Sequence, residues 1–395
     1  MDKIDGILTR GVDKVYPSKE ELEKVLRSGK KLRVYQGFDP TSPCLHIGHL
    51  SGLIKLKQWQ DLGHEVIFLI GDYTGMVGDP TGKDKTRIPL SHEKVMENAK
   101  SYKEQAAKIL DFEGENPAKL KYNGEWLGKL SAIELANLAS NLTLQQVIER
   151  DMFQKRIKNQ MDISISEFMY PFMQGYDSVA MDVDVEIGGT DQMFNMMIGR
   201  DLMKKIKKKN KFVMTIPLLQ GLNGVKIGKT EGNAIALSEN PNDMFSKVMS
   251  LPDETIMQGL ELLTMMPVEK ISELGEKLKN CANPMTIKKI LAFEIVKELH
   301  TEEDAESAAK NFERTVQGKE PSIKLYVPKD FNNTVLDIVS DLLFISRSKA
   351  KRKITDGGVR VNDKKITMEQ ANGKISVGMI IQVGKLSKIK IQEKE

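Results

Sequence analysis

Over the first 230 or so residues, short apolar runs alternate with longer segments whose apolar positions recur at helical spacing. LRVYQGF is apolar-rich and ends in Asp39-Pro40, which predicts a strand and its stop. From Gly48 to Leu62, Leu50, Leu53, Ile54 and Trp59 share one helical face, and Gly63 ends the segment. VIFLIGD is a continuous apolar run, as in a strand buried on both faces. Strand, helix and strand in this order predict a right-handed βαβ unit with a parallel sheet. VDVEIGG and FVMTIPLL predict further strands. Residues 115–170 read as helices with polar faces, most clearly in NLASNLTLQQVIERDMFQKRI. A second helical stretch runs from Ser238 to Asn311, with Pro241, Pro252, Pro267 and Pro284 as helix boundaries. Residues 312–334 are turn-rich and predict a linker. The last 60 residues change character: a basic helix, a Gly-Gly stop, and a strand turning at Asn362-Asp363.

The length of 395 residues suggests two to three domains. Two cysteines exclude a disulfide scaffold, no apolar run reaches the roughly 18 residues of a membrane helix, and the N-terminus lacks a signal-type apolar core. The expectation is a soluble, intracellular protein. The formal net charge of +4 conceals an uneven distribution. Residues 347–395 carry thirteen Lys/Arg against five Asp/Glu, a balance of +8, so the remainder stands at −4. That concentration suits a polyanionic partner for the C-terminal segment, and equally a solvated lysine-rich tail.

Candidate chemistry falls in the loops after the strands. His46 and His49 stand three apart at the start of the first long helix, in a chain with only five histidines, so a metal site is not the expectation. The N-terminus of a helix that follows a parallel strand suits a phosphate, and Gly48 allows close approach of a ligand; equally, the two histidines are polar caps of the helix. The segment from Gly71 to Arg87 holds several glycines with Lys83 and Arg87, which suits an anion, though its spacing is not that of a Walker A loop. Lys226-Ile-Gly-Lys229-Thr230 is a second cationic loop. Tyr170, Gln174 and Asp177 stand at i, i+4 and i+7, a single helical face. The lysine cluster 204–211 reads mostly as a solvated helix end.

Together these segments carry a resemblance. LHIGHL resembles the HIGH signature of class I aminoacyl-tRNA synthetases, and KIGKT stands at the KMSKS position, departing from that motif while keeping both lysines. YQGFDPTSPCLHIGHL, GMVGDPTGK, YPFMQGYD and GGTDQMFN are similar to the bacterial-type tyrosyl-tRNA synthetases along essentially the whole chain. GGVRVNDKKI with IIQVGKLSKIKI resembles an S4-type RNA-binding domain.

The resemblance implies an α/β fold. A Rossmann-like parallel-sheet catalytic domain would span 1–235, with a helical insertion at about 115–170. An α-helical anticodon-region domain would follow at 236–325, and a small α+β S4-like domain at 335–395. It implies activation of L-tyrosine by ATP with Mg²⁺, then transfer to tRNA(Tyr), by a cytoplasmic homodimer whose interface lies around 120–170. No membrane contact and no tightly bound cofactor are expected. Thr41 and His46 would meet the γ-phosphate, and His49 the nucleotide. Lys83, Arg87, Lys226, Lys229 and Thr230 would hold pyrophosphate. Gly37, Asp39, Gly48, Gly189 and Asp191 would lie at ATP, the last two near the ribose. Tyr170, Gln174 and Asp79 would hold the substrate ammonium, Asp177 and Tyr35 its phenol, and Gln192 its carboxylate. Arg347, Lys349, Lys351, Arg352 and Lys353 would meet RNA. Two alternatives remain on sequence grounds, a tryptophanyl-type enzyme and a catalytically inactive RNA-binding paralogue. An acid and a tyrosine aimed at a para hydroxyl weigh against the first, and the retained histidines and loop lysines against the second.

Overall fold

The apolar runs assemble into a six-stranded sheet in a computed structural model, which describes residues 2–81, 89–141, 143–219, 234–280, 282–317, 323–328, 330–343, 345–384 and 387–393. Its strands are β1 (Lys14–Tyr16), β2 (Arg33–Phe38), β3 (Glu65–Ile70), β4 (Lys119–Tyr122), β5 (Val185–Gly189) and β6 (Phe212–Ile216). The spatial order is β1-β6-β5-β2-β3-β4. All pairings are parallel except β1 with β6, which is antiparallel. Helix α1 (Ile47–Asp61) links β2 to β3 and buries Leu50, Leu53, Ile54 and Trp59, the face its spacing predicts. Helices α2 (Ile165–Met181) and α3 (Met193–Leu202) flank β5 in the chain.

Two edge strands depart from the sequence reading. β4 lies inside the stretch expected to be helical, and β1 was not anticipated. Both are short and carry lysines, which keeps a sheet edge from pairing with other chains but hides the strand pattern among polar residues.

The helical insertion is tied to α2 by a buried ion pair. Arg156, from helix Asp151–Lys158, meets both carboxylate oxygens of Glu167 at 2.9 and 3.1 Å. Glu167 also closes the capping box of α2 with Ser164. Further on, α2 and α3 cross at two glycines. A Cβ on Gly175 would sit 3.0 Å from Leu202 Cδ1 and 3.1 Å from the Gly199 backbone nitrogen. A side chain here would therefore need its neighbours to give way.

The four prolines do mark helix starts. Pro241 and Pro284 occupy first turns, Pro267 caps Val268–Lys279, and Pro252 precedes a single turn leading into Ile256–Leu263. Arg10 ties these helices to the N-terminal segment. Its guanidinium donates to the carbonyls of Leu260, Glu261, Thr264 and Met266 at the carboxyl end of Ile256–Leu263. Lys55 of α1 in turn donates to the carbonyls of Ile7 and Arg10. The first compact unit consequently runs from Met1 to Ala305, and the second from Glu306 to Glu395.

The second unit has its own sheet, of β7 (Ile323–Tyr326), β8 (Val359–Val361), β9 (Lys364–Lys365), β10 (Ile380–Val383) and β11 (Ser387–Ile391). The order is β7-β11-β10-β8-β9, antiparallel apart from β7 with β11. Ile338, Val339, Ala350, Ile354, Val359, Ile381 and Ile389 are among its core residues. β7 corrects the expectation of a linker over 312–334. Its partner β11 is distant in sequence, so no local pattern announces the pairing. The hairpin at Asn362-Asp363 agrees with the sequence reading, with φ of 46° and 64° at its two central residues. Among the described residues, no helix is long and apolar enough to cross a membrane.

Replacing Gly175 by Ala should force α2 and α3 apart. We expect a loss of about 1–3 kcal/mol, read as a lower urea midpoint for the first unit. An unchanged midpoint would show that the crossing tolerates a methyl group.

Candidate active site

In an open parallel sheet, ligands bind where neighbouring strands send their connections to opposite faces. Here that place lies between β2 and β5. The strands β4, β3, β2, β5 and β6 stand in the spatial order 3-2-1-4-5 of their occurrence among the parallel strands. The loop after β2 carries Asp39 and Thr41 and ends at His46. The turn after β5 carries Asp191 and Gln192.

The two histidines build the N-terminus of α1. His46 Nδ1 accepts from the backbone N–H of Gly48, and His49 Nδ1 accepts from that of His46, both at 3.1 Å. Their rings lie 3.9 Å apart. An imidazole that accepts at Nδ1 carries its proton on Nε2 when neutral, so each ring is set as an Nε2 donor. The capping role and a phosphate-binding role are compatible. Gly48 takes part through its N–H, Gly37 is exposed at the end of β2, and Thr41 is exposed with its N–H on the Asp39 carbonyl. The segment 235–237 runs antiparallel beside 45–47. Ile47 N donates to the Ile235 carbonyl, and Leu237 N to that of Leu45, both at 2.9 Å. Lys83, Arg87, Lys226, Lys229 and Thr230 lie outside the described residues.

The six residues expected at tyrosine fall into two hydrogen-bonded networks under α2. In the first, Tyr170 OH donates to Asp39 Oδ2 at 2.8 Å, and Thr74 Oγ1 to Asp39 Oδ1 at 2.7 Å. Asn123 Nδ2 bridges Thr74 Oγ1 at 2.9 Å and Asp177 Oδ2 at 3.2 Å, while Trp126 Nε1 donates to Asp177 Oδ1 at 2.7 Å. In the second, Gln192 Nε2 donates to Asp79 Oδ2 at 2.6 Å. Asn195 Nδ2 donates to both glutamine oxygens, Gln192 Oε1 at 3.1 Å and Gln174 Oε1 at 3.0 Å. Gln174 Nε2 reaches Glu186 Oε1 at 3.1 Å, and Ser178 Oγ lies between Glu186 and Tyr35 OH, 2.9 Å from the latter. Tyr170, Gln174, Asp177 and Ser178 share one face of α2, as the i, i+4, i+7 spacing required.

Asp39, expected at ATP, has both carboxylate oxygens bonded within this cluster, to Tyr170 and Thr74. Its position explains Gly71, since a Cβ there would stand 2.0 Å from Asp39 Oδ1. Gly189 is likewise crowded, with Asp191 Oδ1 2.6 Å from where a Cβ would be.

Electrostatically, this hydrogen-bonded cluster is acidic. Burial pushes the Asp177 carboxyl well above the ordinary range, and Glu186 and Asp39 add to the shift against the pull of Trp126 and Asn123. Burial also raises the hydroxyls of Tyr35 and Tyr170, assisted by neighbouring carboxylates. Lys211 lies within this cluster, fully buried and ion-paired to Glu186, with Ser178 Oγ at 2.8 Å. This overturns the reading of Lys211 as part of a solvated lysine cluster. Lys204, Lys205, Lys207 and Lys208 are exposed as expected, but Lys211 begins the approach to β6 and turns inward.

Sequence reading also passed over Asn123, Trp126, Ser178, Glu186 and Asn195. Asn195 was within reach, as it lies in the GGTDQMFN motif three residues from Gln192. Asn123 and Trp126 follow the edge strand β4, whose existence was not anticipated. Arg150, in the helical insertion, reaches Thr81 Oγ1 at 2.9 Å and stacks over Phe194 at 4.5 Å. No group of three or more His, Cys, Asp and Glu with metal-site geometry occurs among the described residues.

Comparison with known proteins identifies the family. The family model for class I tRNA synthetases (W and Y) matches residues 27–317. The tyrosine–tRNA ligase of Mannheimia succiniciproducens is 43% identical over 382 residues, covering 96% of this chain and 95% of its own. That of Thermotoga maritima is 42% identical, covering 92% of each. Among solved structures, a C-terminally truncated mitochondrial tyrosyl-tRNA synthetase from Coccidioides posadasii superposes with a TM-score of 0.65 at 27% identity, over 78% of this chain and 91% of its own. The Archaeoglobus fulgidus enzyme complexed with L-tyrosine has a TM-score of 0.61 at 22% identity, covering 78% of this chain and all of its own, which bears on the fold alone. A family model over most of its length and relatives above 40% identity along nearly all of it show that the chain belongs to the class I tRNA synthetases and, within them, to the tyrosine–tRNA ligases.

Proposed function

We propose that the pocket beneath α2 binds L-tyrosine and that the N-terminus of α1 receives the phosphates of ATP. The observation that carries this reading is the gathering of Tyr35, Asp79, Tyr170, Gln174, Asp177 and Gln192 into two connected networks beside the β2–β5 division. Tyr170 donates its proton to Asp39, which leaves the phenol oxygen as an acceptor for the substrate ammonium. Gln174 Oε1 and Asp79 are further acceptors. Asp177 and Tyr35 form the buried end that takes the phenolic hydroxyl. Phenylalanine would leave both without their partner, the kind of discrimination for which this enzyme class is the standing example.

The substrate carboxylate is ionised at neutral pH and attacks the α-phosphorus of ATP without a general base. The protein's task is to position the reactants and stabilise charge moving onto pyrophosphate. The Nε2 donors of His46 and His49 and the dipole of α1 serve that end. Lys83, Arg87, Lys226, Lys229 and Thr230 supply positive charge. The pairing of 235–237 with 45–47 supports the role of the second loop, because it anchors the chain just after Thr230 beside His46. Mg²⁺ fits as an ion carried on the phosphate oxygens of ATP, since hard cations accept that environment and the described residues supply no carboxylate cage. The terminal adenosine of tRNA then takes the tyrosyl group.

The second unit is an S4-like RNA-binding module in this reading. On helix Arg347–Thr355, Ala350 and Ile354 are buried, while Arg347, Lys349, Lys351, Arg352 and Lys353 are exposed. Arg360, Lys364 and Lys365 add further exposed cations from the adjoining hairpin. Such a surface suits phosphates of structured RNA. The enzyme is a homodimer in this reading, through the helical insertion. Ile133, Leu144, Ile157 and Ile165 are all exposed there, Ile165 at 79%.

Tyrosine-dependent ATP–pyrophosphate exchange tests the activity, with phenylalanine and tryptophan as controls. Asp177→Ala should lower kcat/KM for tyrosine by about 10- to 100-fold, and unaltered exchange would remove Asp177 from the pocket. The triple replacement of Lys349, Lys351 and Lys353 by Glu should leave exchange intact but weaken tRNA charging, with a shallower salt dependence. Equal loss of both activities would argue against a separate RNA surface. Ile165→Asp should shift sedimentation from dimer to monomer, and a variant that sediments as the parent does would relocate the interface.

A further inference from the structure

Both glutamines of the pocket wall are oriented by what lies at the far ends of their network. A glutamine amide has nearly the same shape in either direction, so only its partners decide which way it points. Glu186 at one end and Asp79 at the other are carboxylates bonded to glutamine NH2 groups, Gln174 Nε2 at 3.1 Å and Gln192 Nε2 at 2.6 Å. In the middle, Asn195 Nδ2 donates to Gln174 Oε1 and Gln192 Oε1. Arg150 in turn donates to Asn195 Oδ1 at 3.4 Å, which sets the middle amide. The whole chain therefore has a single direction, imposed by acceptor-only groups at its ends.

Glu186 can serve as such an end only because its charge is balanced. It is 2% exposed and faces Asp177 in the same core. Lys211, 0% exposed, is its ion-pair partner and also donates to Ser178 Oγ. The space for the ammonium is cut by a glycine, since a Cβ on Gly199 would stand 2.6 Å from Lys211 Nζ. Neither Glu186 nor Lys211 belongs to the residues assigned above to substrate. A buried pair of this kind, closely packed between a strand and two helices, is costly to keep for stability alone.

We propose that Glu186 and Lys211 are positioning residues for amino-acid binding: the pair holds the Gln174 amide with its oxygen, rather than its NH2, presented to the substrate ammonium. The inference rests on the reading that Gln174 meets that ammonium. A neutral amide at position 186 could donate as well as accept, so Gln174 would be free to turn its NH2 toward the incoming cation. The substrate would then meet a repelling donor in place of an acceptor.

The test measures tyrosine KM, ATP KM and thermal melting of the full-length enzyme carrying Glu186→Gln, Lys211→Met, the double replacement, and Gln174→Ala. Either single replacement leaves one buried charge unpaired and should lower the melting temperature, while the double replacement removes both charges and should recover it. The proposal expects the double variant to keep a tyrosine KM raised by about 10- to 100-fold, with the ATP KM unchanged. A double variant that recovers both melting and tyrosine KM overturns it, because the pair would then be structural only. If Gln174→Ala raises tyrosine KM while the double variant does not, the positioning claim alone fails. If Gln174→Ala leaves tyrosine KM unaltered, the ammonium reading fails and takes the proposal with it. Should the double variant not fold, Asn195→Asp decides. It exchanges a donor for an acceptor in the middle of the network, adds a buried carboxylate beside Arg150, and leaves Glu186 and Lys211 in place. It should raise tyrosine KM in the same way, and an unchanged value overturns the proposal.

Discussion

Burying several carboxylates around α2 is the constraint on which this structure turns. Asp177 and Glu186 stand in the core behind α2, with Asp39 close enough to push on the same charge. Each is offset by a different device. Asp177 has two neutral donors, Trp126 and Asn123. Asp39 has two hydroxyls, from Tyr170 and Thr74. Glu186 has a buried ammonium. An ion pair in the interior gains Coulomb energy but loses the hydration of both partners, so it contributes less to stability than to direction. The acidity that results suits a ligand entering as a cation at one end and a hydroxyl at the other.

Close helix packing makes that arrangement possible. Gly175 and Gly199 let α2 and α3 approach until Lys211 Nζ fits between them and β5. The same approach places Asn195 of α3 against Gln174 of α2. On the other side of the β2–β5 division, α1 presents a histidine-capped N-terminus, with 235–237 paired strand-like beside 45–47. The carboxylate-lined cluster and the histidine-capped helix thus meet where the parallel strands change direction of crossing.

Much of this was legible in advance because the relevant patterns are local. A continuous apolar run such as VIFLI can only be a doubly covered strand or a buried helix, and its length decides. Prolines before helical stretches, the Asn362-Asp363 turn and the stripe of Tyr170, Gln174 and Asp177 are likewise local. The failures share a cause. β1, β4 and β7 are short strands whose identity comes from partners far along the chain, and β1 and β4 hide their pattern among lysines. Lys211 looked like its exposed neighbours because nothing within eight residues of it hints at Glu186, 25 residues earlier.

The amino-acid sequence by itself determined the parallel sheet, the helix behind the two histidines, the basic C-terminal helix and the family to which these motifs belong. Each of those depends on periodicity, or on residues that must be neighbours to act. Only the tertiary structure decided that Asp39 turns to Tyr170, that Asn195 joins the two glutamines, and that one lysine of a polar cluster is buried against Glu186. Those outcomes depend on distances between separate elements, set when helices pack to the limit that glycine allows, and no single segment carries that information.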